Sequence, residues 1–427
     1  MIAALLSDVA SRVDGADAVA KTDETITLTI DARGIGRSAL STSSGAQLRV
    51  LKGGRIGWHG GSGADPASLV EGALASALDG ERIAYFLPAR APLADVITHD
   101  AGTASASVAD LWALTRSVAE QLAGPGREVE VWLERSSGTV AVGNTRGVDA
   151  KYPVTLAGLG ARVRSPNAPP VDLHLAGGTL PTPLEVDQMV RAIERRVSPP
   201  TVEPVELGSA PVLFRPRAAR ALLQPLLAAL TGDPGPVGGP LAVDFDQAQL
   251  DSCLTLIDDP LVPLRPGSRP IDDDGVPALR LRLIDRGRVR ARLLDLLAGS
   301  RRSLPSTGHA WRAVLGAPRV GATNLRLLPT EGAPDPLGSM ERGLVIEDLS
   351  WSAAPNAALG NFVLRAPWAY WVERGEVIGR REGTVLAGNA FQLLRRVIAI
   401  GGDATWVGAA CVPSIAVDGV RVGLGAL

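Results

Sequence analysis

Two clusters of aspartate residues are the part of this sequence best suited to chemistry. Asp258 and Asp259 end a strand-like run, and Asp272, Asp273 and Asp274 stand before a glycine further along the chain. Carboxylates this close together can share a proton or bind a metal ion. Asx side chains also accept hydrogen bonds from nearby backbone amides, which makes them good turn formers. Three consecutive aspartates do not fit an EF-hand loop, whose acidic residues alternate. We therefore favour turns and keep a cleft-lining role as the alternative.

Residues 303–312 form a second polar segment between apolar neighbours. Its Ser306, Thr307 and His309 are candidate cleft-lining side chains, and a helix-capping loop is the competing interpretation. No two histidines stand at helical spacing, which excludes a local His-Glu-x-x-His zinc site. The sequence also has no phosphate-binding Gly-x-x-x-x-Gly-Lys-Ser/Thr loop, no Gly-x-Gly-x-x-Gly loop and no Gly-x-Ser-x-Gly nucleophile motif.

The composition is that of a globular chain long enough for roughly two or three domains. Its 427 residues are 46% hydrophobic and 21% charged, which is enough apolar material for a sizeable core. Basic and acidic residues nearly balance, 43 against 45, and this argues against a nucleic-acid binder. No apolar run approaches a bilayer-spanning length, and the N-terminus lacks the basic start of a signal peptide. With two cysteines only, we expect a cytoplasmic protein with no membrane partner.

The elements that must position the polar clusters follow from the hydrophobic periodicity and the turn signals. Helices are predicted at 2–13, 66–78, 107–123, 183–197, 217–230 and 389–399. The helix at 183–197 opens with a capping box, Thr182 and Glu185. The remaining segments read as strands, with a hairpin at 285–287 and with Ser-Ser-Gly turns at 43–45 and 136–138.

These elements predict an α+β fold in three parts. Residues 1–125 form an N-terminal α/β domain with antiparallel strands and flanking helices. Residues 126–204 are a central strand-rich segment that ends in a proline-rich connector at 198–204. Residues 205–427 form a mostly antiparallel β domain of barrel or sandwich type.

Several segments occur in an order that resembles one known family. From the N-terminus they include LRVLKGGRIGWHGGSG, DPASLVEGAL, RSSGTVAVGNTRGVDAKY, LTLIDDP, IDDDGVP, STGHAWR, TNLRLLP, GLVIEDL and VLAGNAFQLLRRVIAIGGD. A single segment of this kind does not identify a family, but their shared order over nearly the whole chain is specific to one family. The chain resembles the TldD/PmbA family of metallopeptidase-related proteins, and within it the TldE (PmbA) branch.

The resemblance also identifies where this chain departs from the catalytic branch. In the TldD branch, a helix in the second half carries His-Glu-x-x-x-His, and a C-terminal cysteine is a further ligand of a metal that activates water. The helix here can be aligned with that of the TldD branch through the sequence Leu-Thr-Gly-Asp at its C-terminal end. In this alignment Leu223, Gln224 and Ala228 occupy the positions of His, Glu and His. Leucine and alanine cannot bind a metal, and glutamine is not a base. Pro225 is expected to disturb the helix, and Cys411, near the position of that cysteine, is expected to be a small buried residue.

The resemblance therefore implies a non-catalytic subunit without a catalytic residue, metal or other cofactor of its own. A TldD-type partner would hold zinc in a heterodimer, and the substrates would be unstructured peptides, including precursors of ribosomally made natural products. An antiparallel sheet edge could hold such a peptide by strand addition. When the chain is made alone, a homodimer is an open possibility.

Two other classes of function stay open at the level of sequence. One is an independent enzyme that uses the aspartate clusters with a metal or another chemistry. The other is a self-associating binding or scaffold protein with no peptidase partner. The metal content of the purified chain distinguishes the first class, and a TldD-type partner that co-purifies argues against the second.

Overall fold

The computed structural model describes residues 1–63, 65–84, 87–166, 168–197, 201–202, 208–231, 249–329, 335–349 and 359–424. Most of the predicted connector at 198–204 lies outside these ranges. The helices in the described ranges are α1 (Ile2–Val9), α2 (Pro66–Leu78), α3 (Ala101–Ser105), α4 (Val108–Leu122), α5 (Pro183–Val197), α6 (Pro216–Leu230), α7 (Leu296–Arg301) and α8 (Ala390–Leu393). A 3-10 turn at Ala10–Arg12 continues α1.

Long antiparallel strands build the first sheet. They are β1 (Gly15–Ile30), β2 (Gly36–Lys52), β3 (Arg55–Ser62), β4 (Glu128–Asn144), β5 (Asp149–Ser165) and β6 (Ala168–Gly177). Their order in the sheet is β3-β2-β1-β4-β5-β6. Because β1 pairs with β4 along almost its whole length, the predicted division at 125/126 runs through a single sheet.

The two predicted Ser-Ser-Gly turns are wrong, because β2 and β4 run straight through residues 43–45 and 136–138. The glycines serve close packing there. A Cβ atom at Gly138 would clash with the carbonyl oxygen of Thr22 on β1, and one at Gly45 would clash with Val314. Glycine inside a strand often marks such a close approach rather than a reversal of the chain.

Helices cover one face of this sheet in two groups. Helices α1 and α2 pack on residues such as Ala18 and Leu48, and α4 and α5 pack on residues such as Leu28 and Leu133. Even-numbered residues of β1 contribute to both groups, so both cores lie on the same face. The predicted capping box of α5 is confirmed, since Thr182 and Glu185 exchange side chain–backbone hydrogen bonds.

The second half consists of shorter strands in several sheets. They are β7 (Thr201–Val202), β8 (Gly208–Phe214), β9 (Leu256–Asp258), β10 (Leu281–Asp285), β11 (Arg288–Val289), β12 (Ala310–Trp311), β13 (Arg319–Val320), β14 (Leu325–Leu327), β15 (Arg342–Ile346), β16 (Asn361–Arg365), β17 (Ala369–Glu373), β18 (Glu376–Arg381), β19 (Thr384–Asn389), β20 (Val397–Ile400), β21 (Thr405–Val407), β22 (Ala410–Val412) and β23 (Ile415–Leu424).

These strands pair mostly antiparallel. One sheet has the order β11-β10-β9-β14-β22-β21, and another has the order β16-β19-β23-β8-β15-β17-β18-β7 with β20 paired to β23. Parallel pairs occur at β8–β15, β14–β22 and β7–β18. The expected α+β class, with a β-rich second half, is confirmed.

The predicted last helix at 389–399 is wrong beyond its first turn. Asn389 caps α8 by accepting a hydrogen bond from the Gln392 amide, but α8 ends at Leu393. Residues Val397–Ile400 instead form β20, which pairs with β23. Pairing with a neighbouring strand therefore overrides the helical pattern of this apolar segment. Among the described residues, no helix is long and apolar enough to cross a membrane.

Candidate functional site

One face of helix α6 forms a wall of a cleft of about 670 Å³. The residues on this face follow the spacing of a single helical stripe, and they are Arg220, Leu223, Gln224, Leu227, Ala228 and Thr231. The opposite face of α6, which includes Leu222 and Leu226, packs into the core. The expected disturbance at Pro225 is not seen, because the helix continues through this residue to Leu230.

The other walls come from the short strands around β12, β13, β14 and β22. The residues that line the cleft on this side are Pro266, Gly267, Trp311, Arg319, Val320, Gly321, Ala322, Thr323, Leu325, Ala409 and Ala410. The indole nitrogen of Trp311 donates to the carbonyl of Gly321 at 3.0 Å, which fixes the ring across the β12–β13 pair. The guanidinium groups of Arg269 and Arg319 lie 4.4 and 5.8 Å from the centre of this ring.

Asp258 and His309 lie one layer beneath this surface. The Asp258 carboxylate accepts hydrogen bonds from the amide and the hydroxyl of Thr323, which lines the cleft. His309 Nε2 lies 3.0 Å from Asp258 Oδ2, and its Nδ1 lies 2.9 Å from Thr307 Oγ1. Asp258 and His309 are almost completely buried, so this set of polar groups supports the cleft wall from within.

The order Asp258, His309, Thr307 has the connectivity of a nucleophile triad, but the hydroxyl is already engaged. Thr307 Oγ1 accepts from the Leu294 amide at 2.7 Å and lies 3.1 Å from the Arg292 carbonyl. A nucleophilic hydroxyl must instead be open to a substrate. The arrangement therefore links the end of β9 to the segments that carry His309 and Leu294, and it provides no nucleophile.

The aspartates at 272–274 divide between a turn and a set of buried ion pairs. Asp272 accepts hydrogen bonds from the amides of Asp274 and Val276, which is the expected Asx type of contact. It also accepts one from the amide of Ala310, which is distant in sequence. Asp273 accepts from Lys21 Nζ at 2.8 Å, and Asp274 accepts from Arg312 Nη2 at 2.8 Å.

Arg49 Nη2 also donates to Asp274, at 2.8 Å, and the surroundings shift the pKa values of the neighbouring carboxyls in opposite directions. Burial and the charge of Asp274 raise the pKa of Asp272. Burial opposes ionisation of Asp274 too, but the charges of Arg49 and Arg312 outweigh it and hold the pKa of Asp274 below its ordinary value. Asp274 is therefore an ionised member of a structural network at neutral pH.

The structure thus separates the two groups of sequence-predicted site residues. Leu223, Gln224 and Ala228, predicted from the motif position, all line the cleft. The candidate cleft-lining residues Asp258, Asp259, Asp272, Asp273, Asp274, Ser306, Thr307 and His309 do not belong to its lining. Asp259 accepts from the Leu261 amide, and Ser306 bonds the Leu294 carbonyl and the Gly308 amide. Their polar atoms bond to backbone groups or to basic side chains of the folded chain, and a linear pattern does not distinguish such residues from those of a site.

Sequence reasoning missed the charged and aromatic groups of the cleft, Arg220, Arg319 and Trp311. Arg220 could have been found, because it precedes Leu223 and Gln224 by one helical turn on the same stripe. Arg319 and Trp311 could not, since a two-residue strand pair, β12–β13, brings them to the cleft.

The residues on the α6 face do not fit a zinc ion. Zinc in proteins is bound by imidazole, thiolate or carboxylate groups, and the stripe offers none. Cys411, expected to be buried, is only half-buried. It follows the cleft residue Ala410 without being part of the lining, and partial burial raises the pKa of its thiol. Over the described ranges, no three His, Cys, Asp or Glu side chains are grouped as metal ligands.

Comparison with known families assigns the second half directly. The model of the PmbA/TldA metallopeptidase C-terminal domain matches residues 207–424, just over half of the chain. The chain belongs to the PmbA/TldD family. The matched region contains α6, the β12–β13 pair and β22, and therefore the whole cleft.

Curated relatives in the PmbA/TldD family match over part of their length. The "Metalloprotease TldD homolog" of Buchnera aphidicola is 28% identical over 153 residues, 35% of this chain and 31% of that protein. "Metalloprotease PmbA" of Escherichia coli is 28% identical over 196 residues, 45% of this chain and 41% of that protein. The chain therefore spans less than half of the length of these relatives.

Solved structures match the fold over its full extent. TldE from Thermococcus kodakarensis superposes with a TM-score of 0.83 at 20% identity, covering 99% of both chains. A Thermotoga maritima protein, described as a modulator of DNA gyrase, superposes with a TM-score of 0.86 at 21% identity and the same coverage. At this level of identity the likeness establishes the fold of the PmbA/TldD family and nothing finer.

Proposed function

We propose that this chain is the non-catalytic, TldE-like subunit of a two-subunit metallopeptidase that processes unstructured peptides in the cytoplasm. A TldD-type partner holds the zinc ion and the water-activating glutamate. This chain completes the enclosure around the substrate and stabilises the assembly. Natural-product precursor peptides are a substrate class that fits this role, because they are unfolded before processing.

The observation that carries the proposal is the composition of the α6 face. Leu223, Gln224 and Ala228 stand at the motif positions of the catalytic branch, and all three side chains line the cleft. A cleft whose matched motif positions carry no zinc-binding group supports a subunit that leaves the metal to its partner. Family membership and the fold shared with a TldE structure support the same interpretation.

The independent-enzyme alternative has less support from the described residues. Its best reagents, Asp258, His309 and Thr307, are engaged with backbone and with each other beneath the cleft. Asp273 and Asp274 neutralise basic side chains that come from the first sheet. These carboxylates have structural partners, whereas a catalytic carboxylate must reach the substrate.

The test is peptide digestion with the purified chain, with a purified TldD-type subunit, and with the two together, read by mass spectrometry. We expect cleavage of an unfolded peptide by the pair and none by this chain alone. Replacing the partner's motif glutamate by glutamine should abolish cleavage, because the water loses its base.

A matched variant of this chain distinguishes the two subunits. Gln224→Ala removes the only side-chain amide of the α6 face. At saturating peptide it should leave the kcat of the assembled pair unchanged, whatever its effect on KM, because the water-activating groups belong to the partner. Cleavage by this chain in the absence of any partner, or loss of kcat in the Gln224→Ala variant, would overturn the proposal. Metal analysis of the same preparation adds a second reading, since a stoichiometric metal in this chain also contradicts it.

A further inference from the structure

The cleft beside α6 is asymmetric in charge. Among the described residues, its lining includes two basic side chains, Arg220 and Arg319, and no aspartate or glutamate. Arg220 extends from the helix wall, and Arg319 belongs to β13 on the other side. A cleft with basic groups and no acidic group favours an anionic ligand.

Neither arginine is neutralised within the part of the chain that the structure describes. Neither takes part in an ion pair there, whereas the neighbouring Arg217 donates to Asp348 at 3.0 Å. Burial and the charge of Arg217 lower the pKa of Arg220, and the charge of Asp348 offsets this only in part. Arg319 is held near the Trp311 ring, which leaves its hydrogen-bonding edge available.

Gln224 adds a neutral polar group one turn along α6 from Arg220. Its side chain is exposed in the cleft and makes no hydrogen bond to any described residue. Side chains four residues apart on a helix have Cβ atoms separated by about 5–6 Å. The guanidinium group can bind a carboxylate, and the carboxamide oxygen can accept a hydrogen bond from a peptide amide.

Most of the remaining lining is apolar. Leu227 on α6 and the strand residues Val320 and Ala322 are partly exposed apolar residues of the lining, and the buried Leu223 and Leu325 lie behind them. Small-molecule and peptide pockets typically combine such apolar walls with a few polar groups that fix orientation. The ligand should therefore present an apolar side chain close to its negative charge.

We propose that this cleft binds the C-terminal residue of a peptide that ends in an apolar amino acid. The terminal carboxylate contacts Arg220, the last peptide amide contacts Gln224, and the apolar side chain packs between Leu227 and Val320. Arg319 strengthens the attraction from the opposite wall. This inference deepens the proposed function and rests on it, because it takes the ligand to be a peptide.

A free C-terminus fits better than an acidic side chain. In a C-terminal residue, the carboxylate, the last amide and the side chain all diverge from one Cα atom. An internal aspartate or glutamate separates its charge from the backbone, and its chain must leave the cleft in both directions. Arg220 and Gln224, one turn apart on the same face of α6, can contact the two polar groups of such a residue together.

The experiment is isothermal titration calorimetry on the purified full chain without any partner. The probes are the peptide Gly-Ser-Gly-Ala-Leu with a free C-terminus, the same peptide as its C-terminal amide, and acetyl-Gly-Ser-Glu-Leu-Gly-amide. We expect saturable binding of the first probe. The C-terminal amide lacks the charge-assisted contact with Arg220, and the internal-glutamate probe cannot make it in the same way. Both should bind about tenfold more weakly, or worse.

Variants identify the site. Arg220→Gln should weaken the free-acid probe by about tenfold or more, Arg319→Gln should weaken it less, and Arg220→Lys should restore part of the affinity. Arg116→Gln is the matched control, because Arg116 is also an exposed arginine near a tryptophan, Trp112, on α4. It should bind like the wild type.

Each contrary outcome overturns the inference. Equal binding of the acid and the amide excludes carboxylate recognition, and equal binding of the internal-glutamate probe excludes the terminal source. No saturable binding, or an Arg220→Gln variant that binds normally, excludes the cleft. The calorimetric binding measurements on the chain alone test this inference. The proposed function is tested separately, by peptide cleavage with the assembled pair.

Discussion

At position 274, a fully buried carboxylate lies between two arginines that come from distant parts of the chain. Arg49 and Arg312 both donate to Asp274 Oδ1 at 2.8 Å, and the Leu296 amide donates to Oδ2 at 3.1 Å. The sequence favours a turn at 272–274, where asparagine could replace aspartate. Asp272 makes the turn contacts that an asparagine could also make. Asp274 instead provides a negative charge to two arginines, which an asparagine cannot do.

We therefore expect Asp274→Asn to lower the free energy of unfolding by about 3–5 kcal/mol, because it leaves two buried guanidinium groups short of a counter-charge. Urea denaturation at neutral pH measures the effect. Asp187→Asn is the control, since Asp187 pairs with Arg191 on an exposed helix face and should contribute less than about 1 kcal/mol. Equal effects of the two substitutions would contradict this account.

The stability that Asp274 contributes should also depend on pH. The pKa of Asp274 lies below its ordinary value of 3.8, so the folded chain keeps this carboxylate ionised after the unfolded chain has begun to protonate. The stability due to Asp274 is therefore complete above 3.8 and declines as the pH falls through that value towards the folded pKa. The difference between wild type and Asp274→Asn should shrink in acid. Urea titrations at a series of acidic pH values measure this, and a difference that grows there would disprove it.

At the scale of elements, the first sheet depends on strands that run farther than their turn-like sequences suggest. β2 and β4 both flank β1, and each continues through a Ser-Ser-Gly segment. The glycine removes a side chain where a neighbouring backbone or side chain comes close. The pairing of a long central strand thus decides the conformation of a segment whose local preference is a turn.

Gly138→Ala should destabilise the protein by about 1–3 kcal/mol, because the new methyl group meets the carbonyl oxygen of Thr22 and forces β1 and β4 apart. Thermal unfolding monitored by circular dichroism measures the change. Gly158→Ala in β5 is the matched control, since the nearest atom to its Cβ would be the Leu175 oxygen at 3.6 Å. That variant should be neutral or more stable by up to about 1 kcal/mol. A Gly138→Ala protein as stable as the control would show that the strands adjust freely.

At the scale of the whole molecule, the first sheet and the second half are joined by charged groups as well as by apolar contacts. Lys21 on β1 donates to Asp273 and to the carbonyl of Arg312, and Arg312 pairs with Asp17. Ile271 packs on Val19 and Val142, on the face of the sheet opposite the helices. The acidic segment 271–274 therefore docks the two halves, while the cleft lies between α6 and the β12–β13 pair.

The proposed function predicts a stable association. A subunit that encloses a partner's substrate must bury an interface well above about 1,000 Å². Light scattering of this chain with a TldD-type subunit should give the mass of a complex that contains both. A monomer mass for each protein in the mixture, at concentrations where peptide cleavage is assayed, would contradict the proposal.

The sequence predicted the parts of this fold that depend on local signals. Helices α2, α4 and α5 begin at capping residues, Asp65, Ser107 and Thr182, whose effect extends over one turn. The α+β class follows from alternation and helical periodicity. The matched motif positions led to Leu223, Gln224 and Ala228 because residues on one helical face keep fixed spacing.

By itself, then, the sequence determined the fold class, the capped helices and the absence of zinc ligands from the α6 face. Only the tertiary structure decided that the aspartates at 272–274 dock two halves of the chain, that two apparent turns are continuous strands, and that Arg220 and Arg319 share one cleft. The physical reason is range. Capping and periodicity act within a few residues, whereas ion pairs such as Arg49–Asp274 and pairings such as β1–β4 join positions that only the folded chain brings together.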